Sequence, residues 1–247
     1  MKNLIWPELN YLEWKDTCRT INLWTQILGK VRLSKTPWTN HSWNSTLHVT
    51  ERGLSTSVIH DDECSFAMEL DFQDHLLIIR RNDNRSSSIP LINGAISTFY
   101  KNCTRCLADL NIESNINTRP NELPEVTPFP EDHIHRPYDP EYAQSFWRAL
   151  LSCDKVFKEF RSGFLGKVSP VHFFWGSFDL AVTRFSGRRA PEHPGGVPNL
   201  PDLVAREAYS HEVSSCGFWP GNEQFPLAAF YSYGYGLREK ELPLVTH

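Results

Sequence analysis

The sequence predicts an α+β protein with largely antiparallel sheets and three main helices. Three long stretches repeat apolar residues at spacings of three and four, which is typical of helices that pack against a core. Other short stretches alternate apolar and polar residues between turn residues, a pattern that favours antiparallel strands. Because strands and helices do not alternate regularly along the chain, a parallel α/β fold is not expected.

The composition indicates a soluble globular protein with enough apolar material for a sizeable core. The chain has 247 residues, of which 40% are hydrophobic and 22% are charged. Its net charge of −4 argues against a nucleic-acid-binding protein. No apolar run reaches the roughly 18–20 residues that cross a bilayer, and the N-terminus lacks the apolar segment of a signal peptide. We therefore expect a cytoplasmic protein that does not bind membranes, with its oligomeric state left open.

The first half of the chain predicts a helix followed by a meander of strands. The helix covers residues 11–28 and is capped by Gly29. Strands are expected at residues 43–50, 54–59, 65–72 and 75–80. A second helix is predicted at residues 93–110, with Asn93 as its N-cap, followed by an edge strand at residues 112–118.

The second half begins after a proline-rich stretch. Residues 119–138 hold little periodicity and predict a linker between an N-terminal half, 1–118, and a C-terminal half, 139–247; the two halves are free to pack as one unit. The third helix is predicted at residues 140–162, with Asp139 as its cap and Pro140 in its first turn. One long strand is expected at residues 169–189, then a loop at 190–203 and strands at 209–219 and 225–235.

A short internal recurrence relates the two halves. The tetrapeptide Leu28-Gly-Lys-Val31 recurs at residues 165–168, and each copy precedes a segment with His and Trp and then a Leu-x-Val-Thr stretch. This predicts two related helix-plus-strands halves in a pseudo-twofold arrangement. The alternative is a chance recurrence of the common succession of helix, glycine and strand.

Several strings of the chain resemble a bacterial family of unknown function. They are Trp6-Pro-Glu-Leu9, Leu23-Trp-Thr-Gln-Ile27, the stretch 170–191 that contains His172-Phe-Phe-Trp-Gly-Ser-Phe-Asp179, and Glu207-Ala-Tyr-Ser-His-Glu-Val-Ser-Ser215. The resemblance covers nearly the whole chain, from Trp6 to about Tyr235. It implies a bacterial protein of one recurring architecture, and it implies no activity, cofactor or catalytic residue.

Titratable residues inside two apolar strands predict a site in the C-terminal half. His172 and Asp179 lie in the long strand, and His211 and Glu212 lie in the next one. If the strands pair, these groups come close in an apolar setting, where acid–base chemistry is favoured. We then expect His172 or His211 as the general base, with Asp179 or Glu212 as its partner. The alternative is a buried hydrogen-bond network that fixes the strand register.

A basic turn and several aromatic residues predict what this site binds. Arg184, Arg188 and Arg189 suit a carboxylate or phosphate, and Arg184 is also the expected anion stabiliser. The predicted aromatic walls are Phe174, Trp175, Trp219, Tyr231 and Tyr233. The sequence therefore predicts a pocket for a small anionic molecule. It leaves open whether the protein is an enzyme. The contrasting hypothesis is a non-enzymatic structural or protein-interaction module, in which the aromatic residues form the core.

No metal or cofactor is expected. Cys103 and Cys106 form a single C-x-x-C pair with no second pair. The acidic and histidine-rich stretches 60–63 and 131–135 lack a metal-binding spacing. The sequence also has no P-loop, no G-x-S-x-G elbow and no dinucleotide-binding glycine pattern.

Overall fold

The computed structural model describes residues 6–124 and 126–236, which contain four helices and twelve strands. The helices are α1 (Tyr11–Lys35), α2 (Ile96–Asp109), α3 (Pro140–Ser162) and α4 (Asp202–Ala208), with one-turn 3-10 helices at Asn40–Ser42 and Phe129–Glu131. The strands are β1 (His48–Val49), β2 (Gly53–Ser55), β3 (Ile59–His60), β4 (Ser65–Asp71), β5 (Leu76–Arg81), β6 (Ser86–Pro90), β7 (Gly94–Ala95), β8 (His135–Arg136), β9 (His172–Phe174), β10 (Asp179–Arg189), β11 (His211–Trp219) and β12 (Ala229–Tyr235).

Two antiparallel sheets form the framework. The N-terminal sheet has the order β1-β2-β4-β5-β6, with β3 paired to β4, and the C-terminal sheet has the order β12-β11-β10-β9. A short β7-β8 pair completes the strands of the described residues. The α+β class with antiparallel sheets is therefore confirmed, while the pseudo-twofold relation between the halves stays a prediction. Across the described ranges, no helix combines the length and apolar character needed to span a membrane.

Helix α1 continues past its predicted end because Gly29 is an interior position of the helix. The indole of Trp175 occupies the space that a Cβ on Gly29 would need. The helix ends at Thr36, whose backbone N–H and side-chain hydroxyl both donate to the Arg32 carbonyl, at 3.0 and 2.8 Å. The glycine therefore admits an aromatic ring against the helix and does not cap it.

The other long helices lie close to their predicted positions. The side chain of Asp139 caps α3 by accepting from the backbone N–H groups of Glu141 and Tyr142, at 2.8 and 3.3 Å. Helix α2 begins at Ile96, later than predicted. The Asn93 side chain is not its cap, because its oxygen accepts from the Tyr138 backbone N–H at 2.7 Å.

The single long strand predicted at residues 169–189 is a hairpin. Strands β9 and β10 pair antiparallel, with Asp179 opposite Phe174, and the turn between them places Phe178 at a φ of 61°. Other local differences also arise: residues 112–118 form no strand, only residues 48 and 49 of the stretch 43–50 do, and α4 begins inside the predicted loop at 190–203. The hairpin reverses the chain at the place where one continuous alternation of faces was expected.

One buried apolar cluster contains residues from both predicted halves. Leu47 and Phe173 join the two sheets by exchanging backbone hydrogen bonds at 2.9 and 2.8 Å. Phe129, from the predicted linker, is fully buried in the same cluster. The proline-rich stretch thus packs against the core, and part of it is held in a fixed position beside the C-terminal sheet.

The contact between Gly29 and Trp175 gives a test of this packing. An alanine at an interior helix position is normally more stable than glycine by up to about 1 kcal/mol. We expect Gly29→Ala instead to lower the free energy of unfolding by about 1–3 kcal/mol, because the methyl group must displace the indole. Urea unfolding measures the change.

Gly94→Ala is the matched control, because no atom lies within 4 Å of a Cβ added there. Its free energy of unfolding should change by less than about 0.5 kcal/mol. A Gly29→Ala variant as stable as the parent would contradict this account of the packing.

Candidate functional site

A pocket of about 640 Å³ lies on one face of the C-terminal sheet. The sheet forms its floor. Its walls come from the segment 38–45, the pair Asn121 and Glu122, the β9–β10 turn, and the segment 197–209 that includes α4. We call it the aromatic pocket, since its lining includes Trp38, Trp43, Phe174, Trp175, Phe185, Tyr209, Trp219, Tyr231 and Tyr233. Such a size lies within the usual range for small-ligand sites.

The floor is open in the middle because small side chains meet there. Alternate residues of β10 face the pocket, among them Asp179, Ala181 and Thr183. Ala181 pairs with Gly217 on β11, and Thr183 pairs with Ser215, with 2.9 Å between their hydroxyl oxygens. These small residues leave room above the floor, and the Tyr231 ring occupies the part of it that lies across Gly217.

Trp175 is anchored in the wall by a hydrogen bond and by its contact with α1. Its indole N–H donates to the Ser45 carbonyl at 2.8 Å, and its ring lies against Gly29 of α1. Trp38 donates from its indole N–H to the Glu207 carboxylate at 3.2 Å, which ties the segment before the 3-10 helix to α4. Two wall segments that are far apart in the sequence are thus joined.

Asp179 is a buried carboxylate at one end of the floor. Ser177 donates a hydrogen bond to its Oδ1, and the hydroxyl of Tyr231 donates to its Oδ2. The Tyr231 ring reaches it by lying across Gly217, where it fills the space of a Cβ. Burial raises the pKa of Asp179, although the hydrogen bonds from Ser177 and Tyr231 act in the opposite direction.

Glu122 is a second carboxyl group in the same pocket. Its carboxyl oxygen lies where a Cβ on Gly176 would be, next to the turn that precedes Asp179. Burial, and then the charge of Asp179, raise the pKa of Glu122 to about 7. No hydrogen-bond donor or cation among residues 6–124 and 126–236 pairs with this carboxyl group.

Six of the residues predicted from the sequence line the aromatic pocket. They are Asp179, Phe174, Trp175, Trp219, Tyr231 and Tyr233. Tyr231 has the added role of holding Asp179, and its own pKa is raised by burial and by the carboxylate it contacts. The predicted aromatic walls and the central acid are therefore brought together.

His172 and Arg184 lie elsewhere. His172 is buried behind Trp43, with 3.0 Å between its Nδ1 and the Thr46 hydroxyl, and burial lowers its pKa to about 3. Arg184 points to the opposite face of the sheet. Its guanidinium stacks on the Phe160 ring, 3.4 Å from the centroid, and donates to the Phe160 carbonyl. Neither residue lines the aromatic pocket.

The remaining predicted residues gather at the far end of β10 and β11. Arg188 forms an ion pair with Glu212 at 2.7 Å, and Ser186 donates to the same carboxylate at 2.7 Å. His211 contacts Ser210 and pairs in register with Arg189. These four residues, Arg188, Arg189, His211 and Glu212, do not line the pocket, so the expected convergence of His172, Asp179, Arg184, His211 and Glu212 is not formed.

Sequence reasoning missed Glu122 and the walls contributed by the first half. Glu122 lies in the predicted linker, where no periodicity marks it. Trp38, His41 and Trp43 lie just before, or at the start of, the strand predicted at residues 43–50. One signal was present: Gly176 interrupts an apolar strand pattern, which indicates a close approach by another group. That signal does not identify the carboxyl group that approaches.

The described residues contain no cluster of three or more metal-ligating side chains. Cys103 and Cys106 are free and buried on α2, and burial raises the pKa of Cys103 to about 12. The pair therefore packs in the core as small apolar residues.

The fold and the pocket define an α+β protein with an acidic, aromatic-lined cavity on an antiparallel sheet. The chain belongs to the family described as "Family of unknown function (DUF5996)", whose model matches residues 6–240. This confirms the resemblance to a family of unknown function. Comparison with the curated proteins and with the solved structures gave no match.

The raised pKa of Glu122 predicts a pH-dependent cost in stability. Its pKa rises from 4.5 to about 7 on folding, so the folded state resists ionisation, and stability falls as the pH rises from about 4.5 to 7. We expect Glu122→Gln to be more stable than the parent by about 1–3 kcal/mol near pH 8. The gain should fall toward zero near pH 4.5, where the Glu122 side chain of the folded parent is neutral, as glutamine is.

Denaturant unfolding at the two pH values measures this difference. Glu131→Gln, which removes an exposed carboxylate outside the pocket, is the control and should show no such pH-dependent gain. If Glu122→Gln gains the same stability at both pH values, the pKa of Glu122 is not raised on folding, and this account of the site is wrong.

Proposed function

We propose that the aromatic pocket binds a small molecule with a flat apolar body and a cationic or hydrogen-bond-donating group. The observation that carries this proposal is the pair of carboxyl groups, Asp179 and Glu122, enclosed by aromatic side chains. Glu122 is half-buried and has no donor or cation among the described residues, so a ligand cation or donor would stabilise its charged form. Aromatic faces add a further attraction for a cation.

The charges of the lining favour a cationic ligand over the anionic one that the sequence suggested. None of the described lining residues is an arginine or a lysine. Arg184 and Arg188 are already engaged, by Phe160 and Glu212 respectively. Lys30 and Lys167 contact wall rings, with Nζ 5.5 Å from the Trp175 centroid and 4.8 Å from the Phe185 centroid, but neither is among the lining residues. An anion in the aromatic pocket would therefore have two carboxyl groups and no lysine or arginine among the described residues that line it, which is unfavourable.

Matched aromatic probes test the sign of the ligand charge. Tryptamine carries an amine, and indole propionate carries a carboxylate on a body of similar size. We expect tryptamine to raise the melting temperature in a concentration-dependent way and indole propionate not to do so. Because ionised Glu122 attracts the amine, tryptamine should bind more tightly near pH 8 than near pH 6.

Variants locate the binding. Asp179→Asn should lose at least about tenfold in tryptamine affinity by calorimetry, which corresponds to about 1.4 kcal/mol. Glu131→Gln, on the exposed surface, should bind like the parent. Equal stabilisation by both probes, or unchanged affinity in Asp179→Asn, would contradict a cation site, and no binding of either would favour the structural or protein-interaction alternative.

A further inference from the structure

We propose that the aromatic pocket is also an active site, in which Glu122 takes a proton from, or gives one to, a bound apolar ring compound. Asp179, which is held by hydrogen bonds from Ser177 and Tyr231, is the second carboxyl group that faces the same ligand. This inference rests on the proposed ligand-binding function and adds an activity to it. The substrate class is a small aromatic molecule that gains or loses a proton at carbon.

The backbone on the N-terminal side of Glu122 is held by a hydrogen-bond network. Asn121 donates its backbone N–H to the Gln26 side chain at 2.7 Å, and the Gln26 amide donates back to the Asn121 carbonyl at 3.0 Å. The Asn121 side chain donates to the Asn199 carbonyl at 3.1 Å. This network fixes the backbone before Glu122 to α1 and to the segment that covers the pocket.

Glu122 itself adopts a left-handed backbone conformation, with a φ of 55°. A residue of this type is rarely found there, and such strain is typical of functional positions that the surrounding structure holds in place. The conformation directs the carboxyl group over Gly176, where only a glycine leaves room for it. The protein therefore retains an unfavourable backbone conformation that places an acid in the aromatic pocket.

The two carboxyl groups have different surroundings, which separates their roles. Both oxygens of Asp179 accept hydrogen bonds from hydroxyl groups, and these bonds favour its charged form. Glu122 receives no such bond from the described residues, and the charge of Asp179 favours its neutral form. Burial still raises the pKa of Asp179, but its oxygens are held by donors of the protein, whereas the Glu122 carboxyl group can exchange a proton without breaking such a bond. This division is typical of acid–base pairs.

A simple carbon acid tests this activity without knowledge of the natural substrate. Nitrobenzisoxazole is a flat aromatic probe that opens when a carboxylate base removes its ring C–H proton. The proton passes to the carboxylate, the C–H electron pair forms the nitrile bond, and the N–O bond breaks to leave a coloured phenolate. Desolvated carboxylates in apolar pockets are the bases expected to promote this step.

The expected result is a phenolate release rate above that of the same concentration of acetate, rising with pH through a midpoint near 7. Glu122→Gln should lose at least about tenfold of this rate, and Glu131→Gln should keep it. In Asp179→Asn the midpoint should move to lower pH, because the negative charge that raises the Glu122 pKa is gone. If Glu122 had only a structural role, the pH midpoint of the rate would not shift in Asp179→Asn.

Binding of nitroindazole, an unreactive analogue of the probe, separates the two proposals. If nitroindazole raises the melting temperature of the parent but no Glu122-dependent rate appears, the acid–base proposal is overturned and the ligand-binding proposal stands. If neither binding nor rate is seen, both proposals fail for aromatic rings. Glu122→Asp, which retains an acid one carbon shorter, guards against misfolding of the Gln variant: it should lose rate while its circular dichroism spectrum is unchanged.

Discussion

The hydrogen bonds that Ser177 and Tyr231 donate to Asp179 are the interaction on which the aromatic pocket depends. They connect the β9–β10 turn to β12, two strands away, through a single buried carboxylate. Tyr231 can make this contact only because Gly217, on the strand between, has no side chain in its path. Without these two donors, a buried carboxylate at this position would carry a large desolvation cost.

The pocket is assembled from segments that the chain brings together over long distances. Gln26 of α1 holds the segment of Glu122, Trp38 is tied to α4 through Glu207, and Trp175 fits against α1 at Gly29. In each case a polar tie or a missing side chain fixes the position of an aromatic or acidic group. The N-terminal half therefore supplies walls to a site whose floor belongs entirely to the C-terminal sheet.

Stability and chemistry oppose each other at Glu122. A left-handed backbone, a close approach to Gly176 and a neighbouring carboxylate all make this position less stable than an apolar or neutral residue would be. Two other buried acids are paired: Glu212 pairs with Arg188, and Asp71 pairs with Arg52. The contrast is the physical reason for assigning function to Glu122 and a structural role to the acids that are paired.

The sequence by itself determined the α+β class, the third helix with its Asp139 cap, and the concentration of aromatic residues near Asp179, because periodicity and capping are local properties. It also indicated that Asp179 needed donors, since an acid in an apolar strand must be satisfied. Only the tertiary structure decided which groups meet there. Arg184 faces away from Asp179 because alternate residues of β10 point to opposite faces, which is a local property of a strand. The packing of the proline-rich stretch, which brought in Glu122, depends instead on contacts between residues remote in the chain that no local pattern encodes.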